Sequence, residues 1–245
     1  MLNIFKKKEK LSRQALKSRK NELIVKNNPK SPVAEAYRNI RTNLSFLSPD
    51  KPLKTLLFTS SGTAEGKSLT LVNIALSMVQ NGKKVIIIDA DLRKPMQHKF
   101  FEMSNFTGLS SILTGEIELE NGLRETGIEG LQLISTGVIP PNPAELLNSR
   151  RMEKLLKEAE EVADIILIDS PPVIAVTDAA VLANKVDGVI LVIASHQTDK
   201  EILIKSQETL ERVHANILGV VLNKYPAHED GKYLHYYYYG HKVKK

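Results

Sequence analysis

Leu56-Leu57-Phe58-Thr59-Ser60-Ser61-Gly62-Thr63-Ala64-Glu65-Gly66-Lys67-Ser68 is the stretch whose reading decides the fold. Its first four residues form a short apolar strand, and Leu69 to Val79 beyond it form an apolar helix closed by Asn81-Gly82. A strand, a loop and then Gly-Lys-Ser opening a helix is the context of a phosphate-binding loop. Backbone N–H groups and the helix N-terminus hold phosphate oxygens there, the lysine reaches the outer phosphates, and the serine hydroxyl ligates Mg²⁺. The candidate nucleotide-binding residues are therefore Gly62, Thr63, Ala64, Glu65, Gly66, Lys67, Ser68 and Leu69. The usual pattern has a glycine five residues before Gly66, where this chain has Ser61, with Gly62 one place late.

Working outward, Val85-Ile86-Ile87-Ile88-Asp89-Ala90-Asp91 is a continuous β-branched run that ends in two carboxylates. A run without alternation predicts a parallel strand buried on both faces. Ligands of open α/β sheets bind at the carboxyl ends of such strands, where acids ligate Mg²⁺, accept a proton or merely cap the chain. Ile165-Ile166-Leu167-Ile168-Asp169 repeats the pattern and supplies a second acid for the ion. Val189 to Ala194 and Ile217 to Leu222 read as two more core strands, the last followed by Asn223, whose amide suits contact with a nucleotide base. Leu131 to Ser135 is a further strand, and Pro143 opens a helix running through Leu156. The fold class is α/β: a P-loop NTPase with a mostly parallel sheet flanked by helices on both faces.

Length and composition bound the rest. The 245 residues suffice for one substantial domain, and the absence of cysteine excludes disulfides, thiolate zinc sites and cysteine-ligated iron–sulfur clusters in this chain. No apolar run approaches the roughly 20 residues of a membrane helix. The net charge of +6 is unevenly placed: Lys6, Lys7, Lys8, Lys10, Arg13, Lys17, Arg19 and Lys20 face only Glu9 in the first 20 residues. Residues 1–30 read as a basic linker or arm, either solvated or in contact with anionic lipid or an acidic partner. Residues 31–224 read as the catalytic domain and residues 225–245 as a tail.

Ser31-Pro32 is an N-cap followed by proline at the first helical position. Val33, Tyr37, Ile40, Leu44 and Leu47 give the expected buried face of that helix, with Glu35, Arg38 and Arg41 on another stripe. That stripe is either a wet ion pair worth a few tenths of a kcal/mol or a subunit contact. At the other end of the chain, Tyr233, Tyr236, Tyr237, Tyr238 and Tyr239 place five of the seven tyrosines within seven residues. As strand or helix this run leaves rings uncovered. It is an aromatic docking tail, a strand in an oligomer, or a set of phenolic phosphoryl acceptors.

With these pieces assembled, the chain resembles the bacterial tyrosine kinases, P-loop proteins unrelated to the eukaryotic kinase fold, from about residue 31 to its end. Ser60 to Ser68 corresponds to their Walker A motif, Ile86 to Arg93 to Walker A′ and Ile165 to Pro172 to Walker B. Glu35, Arg38 and Arg41 match the family's E-x-x-R-x-x-R oligomerisation motif, and the five tyrosines match its phosphoacceptor cluster. The family loop reads Pro-Gly-x-Gly-Lys-Ser, whereas Thr63 and Ala64 stand here before Glu65-Gly66, a constraint if that place needs positive φ.

The resemblance implies ATP as phosphoryl donor, Mg²⁺ held by Ser68, Asp91 and Asp169, and catalysis by Lys67, Asp89 and Asp91. Asp89 is the candidate base, with exchange of roles between the two acids open. It further implies autophosphorylation in trans within a homo-oligomeric ring. It also implies regulation of capsular or extracellular polysaccharide synthesis and export, with protein-tyrosine substrates. The expected partners are a membrane adaptor and a cognate tyrosine phosphatase. A cytoplasmic place at the inner membrane face through the adaptor is expected, and no nucleic acid. The rival reading is a MinD- or ParA-like ATPase switch, whose loop carries an extra lysine where this chain has Gly62.

Overall fold

The computed structural model describes residue 19, residues 21–48 and residues 52–226. The tyrosine cluster and residues 1–18 of the basic arm lie outside the described residues. In chain order the elements are α1 (Ile24–Asn27), α2 (Pro32–Phe46), β1 (Thr55–Ser60), α3 (Lys67–Val79), β2 (Val85–Asp89), α4 (Gln97–Phe100), α5 (Leu109–Thr114), α6 (Leu119–Gly122) and β3 (Arg124–Ile128). There follow β4 (Leu131–Ile134), α7 (Pro143–Leu147), α8 (Arg150–Val162), β5 (Ile165–Asp169), α9 (Asp178–Ala183), β6 (Gly188–Ala194), α10 (Lys200–Arg212) and β7 (Ile217–Asn223). The seven strands form one sheet in the order β3-β4-β2-β5-β1-β6-β7, parallel throughout except for the antiparallel edge pair β3–β4.

Both faces of the central strands are covered, which is why their sequences are apolar without alternation. Side chains still alternate with period two. Ile86, Ile88, Ile166 and Ile168 enter one core, against α5 to α10. Val85, Ile87 and Leu167 enter the other, against α2 and α3. Asp89 continues the second series and so faces α3. It also stands in register with Asp169 on the neighbouring strand. Neighbouring strands lie about 4.8 Å apart, so the fold sets two buried carboxylates side by side beneath the helix that Lys67 opens.

Three local expectations change. The arm read as a linker to residue 30 is integrated into the body from residue 21 on: Leu23 is 1% exposed and Val25 0%, and both belong to the α3-side core. Nothing in the spacing of so short a segment reveals this, because its partners are remote. Ser31 does cap α2, its hydroxyl accepting from Ala34 N at 3.1 Å. The buried stripe is nevertheless Ala34 and Tyr37, with Ile40 and Leu44 packed against the core, while Val33 and Leu47 are exposed. Ala34 is too small to register as an apolar anchor, so the apolar spacing gave Tyr37, Ile40 and Leu44 correctly and missed the two ends of the stripe. The single helix from Pro143 through Leu156 is two, because Ser149 caps a new helix by accepting from Met152 N at 3.3 Å.

Candidate active site

The loop between β1 and α3 is held from behind by three parts of the chain. Within it, Gly62 N donates to Glu65 Oε2 at 2.9 Å and Ser60 Oγ donates to Gly62 O at 2.8 Å. From the β6–α10 turn, Thr198 Oγ1 donates to Glu65 Oε1 at 2.5 Å. From the end of β7, Asn223 Nδ2 donates to Glu65 O at 2.9 Å, and Lys224 Nζ donates to Ala64 O at 2.7 Å and to Gln197 Oε1 at 2.8 Å. Glu65 is thus buried and its carboxylate is engaged in shaping the loop. Asn223, expected to meet a nucleotide base, has that amide N–H committed to the loop backbone.

Two backbone conformations explain the glycine pattern. Gly66, the residue before α3, sits at φ 91°. Ala64 also takes a left-handed conformation, φ 61°. A non-glycine residue there is strained by about 1–2 kcal/mol, and the Lys224 bond to Ala64 O holds it in place. An alanine thus takes the left-handed conformation at the place where the resemblance leads one to expect glycine.

Lys67 is 6% exposed and its ammonium is ion-paired to Asp169, which is wholly buried. Gln97 lies against the same carboxylate: its Nε2 donates to Asp169 Oδ2 at 2.8 Å and to Ser68 O at 3.2 Å. Its backbone N–H donates to Asp89 Oδ2 at 2.9 Å, alongside that of Met96 at 3.0 Å. Gln97 therefore ties the loop serine to both strand-end acids. Sequence reasoning missed it, since a glutamine eight residues past Asp89 carries no local signal.

Asp89 and Asp91 separate in position. Asp91 faces a cavity of about 360 Å³ that is also bounded by the loop from Gly62 to Leu69 and by Met96 and Phe100. Its Oδ1 accepts from Lys94 N at 2.9 Å. Asp89 is 0% exposed and does not line that cavity. Its Oδ1 is buried without a hydrogen-bond partner among the described residues. Burial, and next the charge of Asp169, push the Asp89 carboxyl up to about 8, against the lowering effect of the Gln97 N–H and of Lys67.

A carboxyl raised in this way holds its proton more tightly folded than unfolded. Its stabilising contribution is present below about pH 4 and lost as pH rises through about 8. Asp89→Asn, which mimics the protonated form, is expected to gain stability relative to wild type by on the order of 1–3 kcal/mol between pH 5.5 and pH 8. Urea unfolding of the nucleotide-free chain at the two pH values measures this. A gap between the two proteins that stays constant with pH sinks the assignment.

Hydroxyl and carboxylate oxygens around a phosphate loop suit a hard cation. No cluster of three or more His, Cys, Asp or Glu is gathered among the described residues. An ion here would complete its shell with phosphate and water oxygens, as Mg²⁺ does. Ser68 and Asp91 line the cavity and suit that ion, whereas Asp169 is wholly buried outside its lining, with its two oxygens taken by Lys67 and Gln97.

The remaining candidates lie elsewhere. Glu35 and Arg38 pair with each other on α2 at 2.8 Å, and Arg38 also donates to Pro29 O at 2.6 Å. Arg41 points inward, donating to Ser77 O at 2.7 Å. It borders a separate cavity of about 280 Å³ at the N-terminal ends of the strands, which holds none of the loop or the strand-end acids.

The chain is similar to known proteins. The ParA family model, described as the NUBPL iron-transfer P-loop NTPases, matches residues 53–243. Tyrosine-protein kinase YwqD of Bacillus subtilis is 42% identical over 220 residues, covering 90% of this chain and 92% of that protein. Tyrosine-protein kinase CpsD of Streptococcus pneumoniae is 38% identical over 212 residues, covering 86% and 92%. The crystal structure of the chimerical protein CapA2B2 superposes with a TM-score of 0.81 at 38% identity, covering 84% of this chain and 91% of that one. The ParA-type P-loop architecture and relatives matched over nine-tenths of their length lead to one conclusion: the chain belongs to the bacterial tyrosine-protein kinases.

Proposed function

We propose that this kinase uses ATP to phosphorylate the tyrosines of its own C-terminal cluster in trans within a homo-oligomeric ring, and so regulates capsular or extracellular polysaccharide synthesis and export. The observation that carries the reading is Lys67, buried against Asp169 at the floor of a phosphate loop, in a chain that carries five clustered tyrosines. A phenol oxygen attacks the γ-phosphorus, a new O–P bond forms as the bond to the β-phosphate oxygen breaks, and ADP leaves. Lys67 turns from Asp169 to the charge that develops on the transferred group. Mg²⁺, when bound by Ser68, Asp91 and Asp169, neutralises phosphate charge. The phenol, with an ordinary pKa near 10, gives its proton to a strand-end carboxylate. Asp89 is the sequence candidate for that role; the lining of the cavity by Asp91 supports an exchange of roles, with Asp89 accepting from the N–H groups of Met96 and Gln97 behind it.

Lys224, the last residue before the tail, stands beside the loop. A neighbour in the ring presents its own site to Tyr233 and to Tyr236 through Tyr239, with Glu35 and Arg38 accessible for the subunit contact. Phosphates on several tails repel one another and loosen such a ring, a change native mass spectrometry reads. Among the described residues no helix is long and apolar enough to cross a membrane. Placement at the inner membrane face is through an adaptor, and a tyrosine phosphatase resets the cluster.

The test is incubation with γ-labelled ATP and the adaptor's cytoplasmic segment. A Lys67→Met full-length chain is mixed with an otherwise wild-type chain ending at Pro226. Label is expected on the tyrosines of the Lys67→Met chain, which cannot label itself. Label released only as free phosphate would instead favour the MinD- or ParA-like switch, against which Gly62 already counts. Iron transfer is set aside, because the chain has no cysteine.

A further inference from the structure

The phosphate cavity has a cation that no motif accounts for. Arg19 lies 48 residues before Lys67 in the sequence, yet both line the same cavity of about 360 Å³. A strap brings it there. Leu23 and Val25 are buried in the core beside α3, and side chains of that helix and of its C-cap residue bond the strap backbone. Asn73, itself 1% exposed, accepts from Val25 N through Oδ1 at 3.1 Å and donates from Nδ2 to Glu22 O at 3.2 Å. Gln80 Nε2 donates to Val25 O at 3.0 Å. A buried asparagine in mid-helix is unfavourable unless its amide is satisfied, and the strap supplies those partners. The same helix begins at Lys67. The phosphate lysine and the strap thus sit on one rigid element.

Arg19 has a resting partner within the strap: its Nη1 meets Glu22 Oε2 at 3.3 Å, and its side chain is 43% exposed. That pair is long and half-solvated, so it is weak. A triphosphate entering the cavity offers a stronger acceptor, since guanidinium binds phosphate bidentately. The loop itself lacks a second lysine, having Gly62 in that place. Lys67 and Lys94 are the other cations lining the cavity, and the backbone of Lys94 is tied to Asp91 on the acid side.

We propose that Arg19 is a catalytic residue of the kinase reaction, held by the strap at residues 21–28 and supplied in cis to contact the γ-phosphoryl group of ATP. The proposal rests on the reading of this cavity as the ATP site. On nucleotide binding the guanidinium leaves Glu22 for the γ-phosphate oxygens and stays on them as their charge redistributes in transfer.

Arg19→Ala, Arg19→Lys and Lys94→Ala in the full chain test it. Calorimetric titration with ADP and with the β,γ-imido analogue of ATP, both with Mg²⁺, is combined with kcat at saturating ATP in the presence of the adaptor segment. Arg19→Ala is expected to weaken the triphosphate analogue about tenfold while leaving ADP within twofold, and to lower kcat at least tenfold. Arg19→Lys is expected to recover part of both, with an unchanged melting temperature in each variant. Equal weakening of ADP and the analogue, or loss tracking a lowered melting temperature, overturns the proposal in favour of a structural strap. So does an unaltered Arg19→Ala, or the whole effect appearing in Lys94→Ala. A wild-type chain that binds neither nucleotide overturns the reading of the cavity, and this assignment with it.

Discussion

Lys67→Met is expected to abolish phosphoryl transfer, by about 10³-fold or more, and to destabilise the chain at the same time. Both effects come from one contact. The ammonium is buried, and its partner Asp169 is 0% exposed and ends β5. Methionine fills nearly the same volume, so packing is kept. What is lost is the positive charge proposed to meet the transferred phosphoryl group, together with the counter-charge of Asp169. Gln97 Nε2, 2.8 Å from the other carboxylate oxygen, is then its remaining polar neighbour of note.

Breaking a buried pair from one side is destabilising by roughly 3–5 kcal/mol, because the remaining charge is left uncompensated. Adding Asp169→Asn to Lys67→Met removes that charge. The double variant is expected to recover most of the stability lost to the single one and none of the activity. Urea unfolding and tyrosine labelling read the two effects separately. Transfer retained in Lys67→Met would refute the role of the loop lysine. A double variant no more stable than the single would refute the pairing.

For Gly66→Ala the expected outcome is a stability loss of about 1–3 kcal/mol with ATP affinity lowered at least tenfold. At φ 91° the backbone is left-handed, and a methyl there would run into the Asn223 amide nitrogen. Asn223 would have to swing away and give up its bond to Glu65 O. That releases the loop on the side where Lys224 and Thr198 also hold it. Pairing the change with Asn223→Ala separates the causes. The clash disappears in the double variant while the conformational strain remains, so a partial recovery of stability is expected. Full recovery would mean that the left-handed conformation carries no strain. No recovery would mean that the amide was never in the way. Thermal unfolding and nucleotide titration give both readings.

Much of the site was legible because each motif is short and local. A strand followed by Gly-Lys-Ser and an apolar helix fixes where a phosphate loop lies. Two apolar runs ending in Asp89 and Asp169 fix where the acids lie along the chain. The Ser31 cap was readable for the same reason, since its bond spans three residues. The α8 cap at Ser149 has equally short reach, yet the apolar stripe running across it hid the break.

What lay beyond the sequence is what depends on partners far along the chain. Asp89 and Asp169 become neighbours because β2 pairs with β5 in that register, a choice of strand order that no single segment encodes. Burial raises the Asp89 carboxyl, and that adjacency raises it further. Sequence spacing put Asp89 and Asp91 on equal terms, and burial decides that Asp91 faces the cavity. The loop at Thr63 and Ala64 looked deficient in glycine, but its left-handed residue is held from Lys224, which is 160 residues away. Leu23 and Val25 are too few to show a period, and only their burial against Asn73 and Gln80 turns a basic leader into a strap. Periodicity and capping act over a few residues, so the sequence alone determined the class of fold and the kind of site. Burial and long-range hydrogen bonding act only once the chain has closed, so the tertiary structure decided which acid and which cations line the cavity and what shape the loop takes.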